Sequence, residues 1–341
     1  MSTRVARSVR ALALLRALAL LRALALLGIA LAVVSAGARR ALAQNYPSRQ
    51  IRLVVPFAAG GPADLLGRVI AGEMSKDLGQ QIFVDNRPGA NTIIGAELVA
   101  KADPDGYTLL MAIDGTLVMN PFLYGKLPYE PFKDFAPITL IARVPSVIEA
   151  SPNVPANTIR ELIDLEKSKP GDLLMGYSTP TSQVSIELLN KAAGVKFTLV
   201  PYRGGTTLVT ALLGGEIALG HESLNVSLPF ARAGKLKIIA LTSGERTPIA
   251  PEIPTIAETF PGFDLGIWQS IVAPAKTPSA IVDRLHDEIV AVLSRDGVRH
   301  TLITAGIEPA TSQSPQDFAA FIRAQAEIRS KVIEAIGLKL D

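Results

Sequence analysis

The chain has 341 residues, 48% of them apolar, with 34 Lys+Arg against 31 Asp+Glu and no cysteine. Without cysteine there are no disulfides, thiolate metal sites or cysteine nucleophiles. Seven arginines (Arg4, Arg7, Arg10, Arg16, Arg22, Arg39, Arg40) are the only charged side chains of residues 1–43, which leaves 34 − 7 = 27 basic against 31 acidic beyond them. A mildly acidic body gives nucleic-acid binding, which needs a basic stripe or patch, no support.

Residues 1–43 read as a secretory signal peptide. Basic residues come first, the hexapeptide RALALL repeats from Arg10, Arg16 and Arg22, and an apolar run ends at the small-residue site Ala41–Ala43. Charged, apolar and small-residue regions in that order predict export, here with cleavage after Ala43. A basic amphipathic helix on a membrane surface and a retained anchor are the alternatives. The mature chain would have about 298 residues (341 − 43), a length that suits two cores. Beyond Gln44 no apolar run approaches the roughly 18 residues of a membrane span.

From Ile51 short apolar runs alternate with helical periods. IRLVVPF reads as a buried strand, and ADLLGRVIAGEMSKDLG as a helix with Leu65, Leu66, Val69, Ile70 and Met74 on one face. IFVDN, NTIIGAELVAKA and DPDGYTLLMAI follow as strand, helix, and turn into strand. This βαβαβ order predicts a mostly parallel sheet covered by helices. Residues 120–137 are rich in proline and aromatics and read as an irregular wrap. ITLIARVPSVIEAS is a long β-like run interrupted by Pro145. A second α/β set then runs from IRELIDLEKSKPG through LLMGYS, SIELLNKAAG, FTLVPY and TLVTALLGG to KLKIIALTS. FDLGIWQSIVAPA reads as another long strand, and two helical stretches close the chain. Long strands at the two joins imply that the chain crosses twice between two α/β lobes, a hinge with a cleft that can close. The expected boundaries are 44–143 and 270–341 for the first lobe and 144–269 for the second.

The loops at strand ends are the candidate site, because open α/β sheets bind ligands outside the carboxyl ends of their strands. In VVPFAAGGPADLLGR the Lys and Ser/Thr of a phosphate loop are absent. Gly60, Gly61 and Pro62 still form an open helix start, whose free N–H groups suit a carboxylate. Asp64 suits the helix dipole, and a cleft-facing Asp64 would accept from a ligand hydroxyl or ammonium. Gly115, Thr116 and Asn120 follow the third strand. Ser178, Thr179, Thr181 and Ser182 follow another, and Arg203, Gly204 and Gly205 a third. Each loop also reads as plain turn or capping chemistry, since Ser and Thr favour helix starts in any case.

Catalysis finds little. The histidines are His221, His286 and His300. HDEIV lacks the second histidine of a zinc helix, so His286 is expected on a solvated helix face. His221–Glu222 is the one acid/imidazole pair, and no G-x-S-x-G elbow accompanies it. A small-carboxylate hydrolase or isomerase using that pair is the enzymatic alternative.

The runs YPSRQIRLVVPFAAGGPADLLGR, NRPGAN, PDGYTLL, NPFLYGKLPYEPFKDFAPITLIA, PYRGG, LLGGEIALG, RAGKLKIIALTS and PEIPTIAE together resemble the Bug family, periplasmic substrate-binding proteins of tripartite tricarboxylate transporters. The resemblance implies the type II periplasmic binding protein fold, with two α/β lobes joined by a two-strand hinge. It further implies reversible, non-catalytic capture of a small carboxylate for a membrane permease, a periplasmic monomer, and no cofactor or metal. It places the first ligand loop on Ala58, Ala59, Gly60, Gly61 and Asp64, the second on Gly115, Thr116 and Asn120, and a turn on Pro201 to Gly204. Two departures fall in the second lobe. GYSTPTSQ looks shorter than the family loop and has Gln183 where the family has His, and Ala218 to Glu222 replaces the family's Asp-Leu-Met-Phe-Asp, with Glu222 standing for the second Asp. A sensory module presenting a bound acid to a membrane signalling protein shares the same fold and leader.

Overall fold

In the computed structural model, residues 46–340 are described; the expected signal peptide and its cleavage site lie outside them. All the elements below belong to one compact unit that begins at Arg49.

The first sheet contains β1 (Ile51–Val55), β2 (Ile82–Asn86), β3 (Thr108–Ile113), β4 (Phe135–Val144), β10 (Ile267–Pro274) and β11 (Glu308–Pro309), in the order β2-β1-β3-β10-β4-β11. β1 pairs parallel with β2 and β3, and β10 runs antiparallel to β3 and β4. The second sheet contains β5 (Ser146–Ala150), β6 (Leu174–Tyr177), β7 (Thr198–Pro201), β8 (Leu219–Ser223) and β9 (Lys237–Leu241), in the order β7-β6-β8-β5-β9. β6, β7 and β8 are parallel and β5 is antiparallel to both its neighbours. The two sheets share a plan, and only Pro145 separates β4 from β5 at the first crossing. A proline cannot donate to a sheet ladder, so the long β-like run breaks there into two strands of different sheets.

The helices are α1 (Pro62–Leu78), α2 (Ile93–Ala100), α3 (Ile159–Ser168), α4 (Pro180–Ala193), α5 (Gly205–Gly214), α6 (Leu224–Arg232), α7 (Ser279–Ser294), α8 (Asp296–Thr304) and α9 (Pro315–Ile336). α1 starts with Pro62 in its first turn and stops at Gly79 in the left-handed region, as its sequence predicts. Its buried face differs from the expected one. Ala63, Leu66, Gly67, Ile70, Ala71 and Met74 are buried, whereas Leu65 is 39% exposed. At 100° per residue these six residues cluster on one arc of the helix, and Leu65 falls on the opposite side. α6 and α8 are additional helices that the sequence reading did not separate.

α9 joins the two cores. Its first half buries Phe318, Ile322 and Ala326 with Val54, Leu110, Leu140 and Trp268 of the first lobe. Its last turns place Ile333, Val332 and Ile336 against the second-lobe core of Ile148, Met175 and Leu219. The helix therefore bridges the lobes. At the second crossing, Arg329 of α9 is 3% exposed and donates to the carbonyls of Asp264 (2.6 Å) and Gly266 (3.2 Å).

Truncating Phe318, which stacks edge-on to Trp268 with centroids 6.1 Å apart, tests this core. Phe318→Ala should cost about 3–5 kcal/mol in urea unfolding. Ile328→Ala, on the 48% exposed face of the same helix, should change stability by less than about 0.5 kcal/mol.

Candidate functional site

The loops after β3 in one sheet and β6 in the other meet at the lobe boundary, and within the second sheet the loops after β6, β7 and β8 meet around Glu222. The link is direct. Thr181, in the first turn of α4, donates its hydroxyl to Asp114 Oδ2 at the end of β3 (2.9 Å). Asp114 is fully buried and its Oδ1 has no partner. Burial pushes its carboxyl up to about 6, outweighing the attraction of Arg329 and the Thr181 hydrogen bond. The sequence reading passed over Asp114, although an acid ending an apolar strand just before Gly115 was a visible signal. Gly115 is packed beside Thr181 in the same contact.

In the loop after β1, Ala58, Ala59 and Gly60 are exposed and Gly61 half-buried. Gly60 has φ +86°, open to glycine, and Gly61 caps α1 without a side-chain hydrogen bond. Asp64 is 4% exposed and works on the loop itself. Oδ2 accepts from Gly60 N and Arg68 Nε (both 2.9 Å), and Oδ1 from Asn86 Nδ2 (3.0 Å). Burial raises its pKa, but these donors outweigh it and hold the carboxyl below its usual value. Asp64 therefore shapes the loop, and the backbone of Ala58 and Ala59 is left exposed beside it.

Thr116 and Asn120 lie one layer behind. Thr116 Oγ1 shares a hydrogen bond with Thr92 Oγ1 (2.7 Å), Asn120 Nδ2 donates to Asn91 O (2.9 Å), and Tyr129 Oη donates to Thr116 O (2.9 Å). Both residues are fully buried. They brace Ala90, Asn91 and Thr92, three non-glycine residues in succession at φ of 45°, 50° and 75°. Such conformations cost about 1–2 kcal/mol each and persist only where neighbours over-determine them.

On the second lobe the four hydroxyls divide their work. Thr179 and Ser182 form the capping box of α4, the plain reading of this Ser/Thr cluster. Ser178 Oγ donates to Glu222 Oε2 (2.7 Å), and Thr181 reaches Asp114. Glu222, 6% exposed, also accepts from Ser223 N at Oε1 (2.8 Å) and lies against the start of α5. A Cβ on Gly205 would fall 2.5–2.8 Å from its carboxyl atoms, so a side chain there would displace Glu222 from Ser178 and Ser223. Burial raises the Glu222 pKa, and the bonds from Ser178 and Ser223 oppose that rise. Gly204 is half-buried and Arg203 exposed, and the Arg203 side chain has no hydrogen bond or ion pair among the described residues.

Two expectations about histidine are corrected. His286 is buried, not solvated, with Nε2 donating to Ser312 O and Nδ1 near Asp287 Oδ1, both at 3.1 Å. His221 and Glu222 do not act as a pair, because successive strand residues point to opposite faces. Opposite His221 in the ladders stand Ile148 and Tyr177. Both ring nitrogens lack partners, and burial depresses the imidazole pKa to about 4. The hydrolytic alternative loses its base. The partner of Glu222 in burial is instead Glu149, cross-strand from Gly220, with neither oxygen hydrogen-bonded. Burial pushes Glu149 up to about 8; the Ser227 hydroxyl offsets part of this and the charge of Glu222 adds to it.

Two lobes with facing strand-end loops define a two-lobed α/β binding protein. The family model "Tripartite tricarboxylate transporter family receptor" matches residues 66–338, and the chain belongs to that family. It is 35% identical over 310 residues to a Pseudomonas sp. protein in the tcbD–tcbE intergenic region, covering 90% of this chain and 92% of that one. BugT of Bordetella pertussis is 31% identical over 317 residues, covering 92% and 97%. Among solved structures, an R. palustris protein with adipate has a TM-score of 0.82 at 35% identity, covering 86% and 99%; MatC from Rhodopseudomonas palustris with bound malate has 0.78 at 32%, covering 84% and 100%. The family and the fold agree with the resemblance drawn from the sequence. The chain is a solute-binding receptor of the Bug type, a class of periplasmic proteins.

Two variants test the buried acids. In the fold Glu149 keeps its proton up to about pH 8, whereas the unfolded carboxyl loses it near 4.5. The native state therefore binds more protons in that window, and stability falls as pH rises through it. Glu149→Gln removes this slope and should stabilise by on the order of 3 kcal/mol at pH 8, with almost no effect at pH 4, in urea unfolding. Gly205→Ala should destabilise, although alanine is the better helix former, because its Cβ displaces the Glu222 carboxyl.

Proposed function

We propose that this chain is the periplasmic receptor for a small organic carboxylate, which it delivers to the membrane components of a tripartite tricarboxylate-type transporter. The observation that carries the reading is the Thr181–Asp114 hydrogen bond, which brings the strand-end loops of the two sheets into one site. The relatives solved with adipate and with malate support the carboxylate class.

The two lobes contribute different chemistry. The loop leading into α1 presents the amides of Ala58, Ala59 and Gly61, Gly60 N being held by Asp64, and a helix start of this kind suits an anion. The start of α5 already has the Glu222 carboxyl against it. One ligand carboxylate then lies on the first-lobe amides with Arg203 nearby, while Glu222 and Ser178 face a hydroxyl, an ammonium or a protonated acid group. Closure follows from contacts made only in the closed state. The Thr181–Asp114 bond is one of them, since it can form only with the lobes together.

The test is a thermal-shift panel on the chain without residues 1–43, using adipate, malate, succinate and acidic amino acids. A true ligand raises the melting temperature progressively with concentration. Thr181→Val leaves Asp114 buried without its donor in the closed state, and should weaken ligand binding by about tenfold, or 1.4 kcal/mol, in calorimetry. If no acid in the panel shifts the melting temperature, the reading fails.

A further inference from the structure

Behind the hinge is a cavity of about 720 Å³ that shares no residue with the cleft loops. Its volume falls in the range of small-molecule sites. Its floor is a row of cross-strand neighbours: Glu308 of β11 faces Arg143 of β4, and Arg143 faces Trp268 of β10. Residues paired in this way project from the same face of a sheet. Its wall is one ridge of α9, where Phe321, Gln325 and Arg329 recur at a spacing of four. The Phe321 ring meets Trp268 edge-on with centroids 5.3 Å apart.

Most charged groups around the cavity are already engaged. Arg246 forms a fork with Glu258 (2.7 and 2.8 Å), Arg329 holds the carbonyls of Asp264 and Gly266, and Asp264 Oδ1 accepts from Gly244 N (3.0 Å). Arg143, Glu308 and Glu245 have no ion pair or side-chain hydrogen bond among the described residues. Two donors in the wall, Trp268 Nε1 and Arg329 Nε, also lack an acceptor. An unpaired guanidinium therefore sits next to an unpaired carboxylate, and both adjoin an aromatic wall.

We propose that this cavity is a second ligand site, taking a zwitterionic α-amino acid with an apolar side chain. Arg143 receives the carboxylate, Glu308 the ammonium, and Trp268 with Phe321 the side chain. A simple carboxylate would leave Glu308 facing it unpaired, and a cation would leave Arg143 so. A ligand carrying both charges on one carbon answers both groups.

Trp268 is the chain's single tryptophan, so emission excited selectively at tryptophan reports on this one side chain. L-Leucine and L-phenylalanine should each change the emission saturably. N-Acetyl-L-leucine, without the ammonium, and L-leucinamide, without the carboxylate, should not. Arg143→Gln, at an exposed position, should keep the melting temperature of the free protein and weaken the amino-acid response by about tenfold or more. Arg203→Gln, in the cleft, should leave the response unchanged. No saturable change in the unaltered protein, an undiminished response in Arg143→Gln, a response lost in Arg203→Gln, or equal responses to the blocked derivatives would each overturn the proposal. None of these readings depends on whether the cleft binds a carboxylate.

Discussion

A buried guanidinium holds the second crossing in place. Arg329 is removed from water, and burial lowers its pKa. Its charge is answered by two main-chain carbonyls, and at longer range by the carboxyl of Asp114. Asp114 in turn receives the Thr181 hydroxyl from the opposite lobe. One line of polar contacts thus runs from the C-terminal helix, through the hinge, to the boundary between the lobes. Removing one member of such a line strands a buried charge, which costs far more than an exposed ion pair contributes.

Around that line the site is built from supports as much as from binding surface. Asp64, Thr179 and Ser182 turn onto their own loops, and Thr116 and Asn120 onto the neighbouring loop at Asn91 and Thr92. The groups left without such a partner include the amides of Ala58, Ala59 and Gly61 and the Arg203 side chain. This is the economy of a receptor: polar groups are fixed by their neighbours so that few degrees of freedom are lost when a ligand arrives. No group of three or more His, Cys, Asp or Glu residues placed to hold a metal occurs among the described residues.

The fold was largely legible because its signals are local. Apolar runs bounded by Gly and Pro gave the strands of both sheets, and Pro145 within a β-like run marked the first crossing. The helix starts at Gly61–Pro62 and Thr179–Pro180 follow from capping chemistry. The site was legible as loops but not as roles. Nothing near Asp64 in sequence says that Asn86, twenty-two positions away, will take one of its oxygens. His286 looked solvated because its neighbours are Asp287 and Glu288, and only the packing of Ser312 over it made it buried. The pairing of His221 with Glu222 failed on strand alternation alone, which could have been read in advance.

By itself the sequence determined two α/β units, most of their strands and helices, and the family. These follow from periodicity, from backbone preferences of Gly and Pro, and from capping residues, all of which act over a few positions. Only the tertiary structure decided which polar side chains face a ligand and which brace the loops, that Asp114 and Glu149 are buried acids, and that α9 spans both cores. Those outcomes depend on desolvation and on partners distant in the chain. A carboxyl group has the same formula on a surface as in a core; what sets its charge and its work is the set of atoms the fold brings against it.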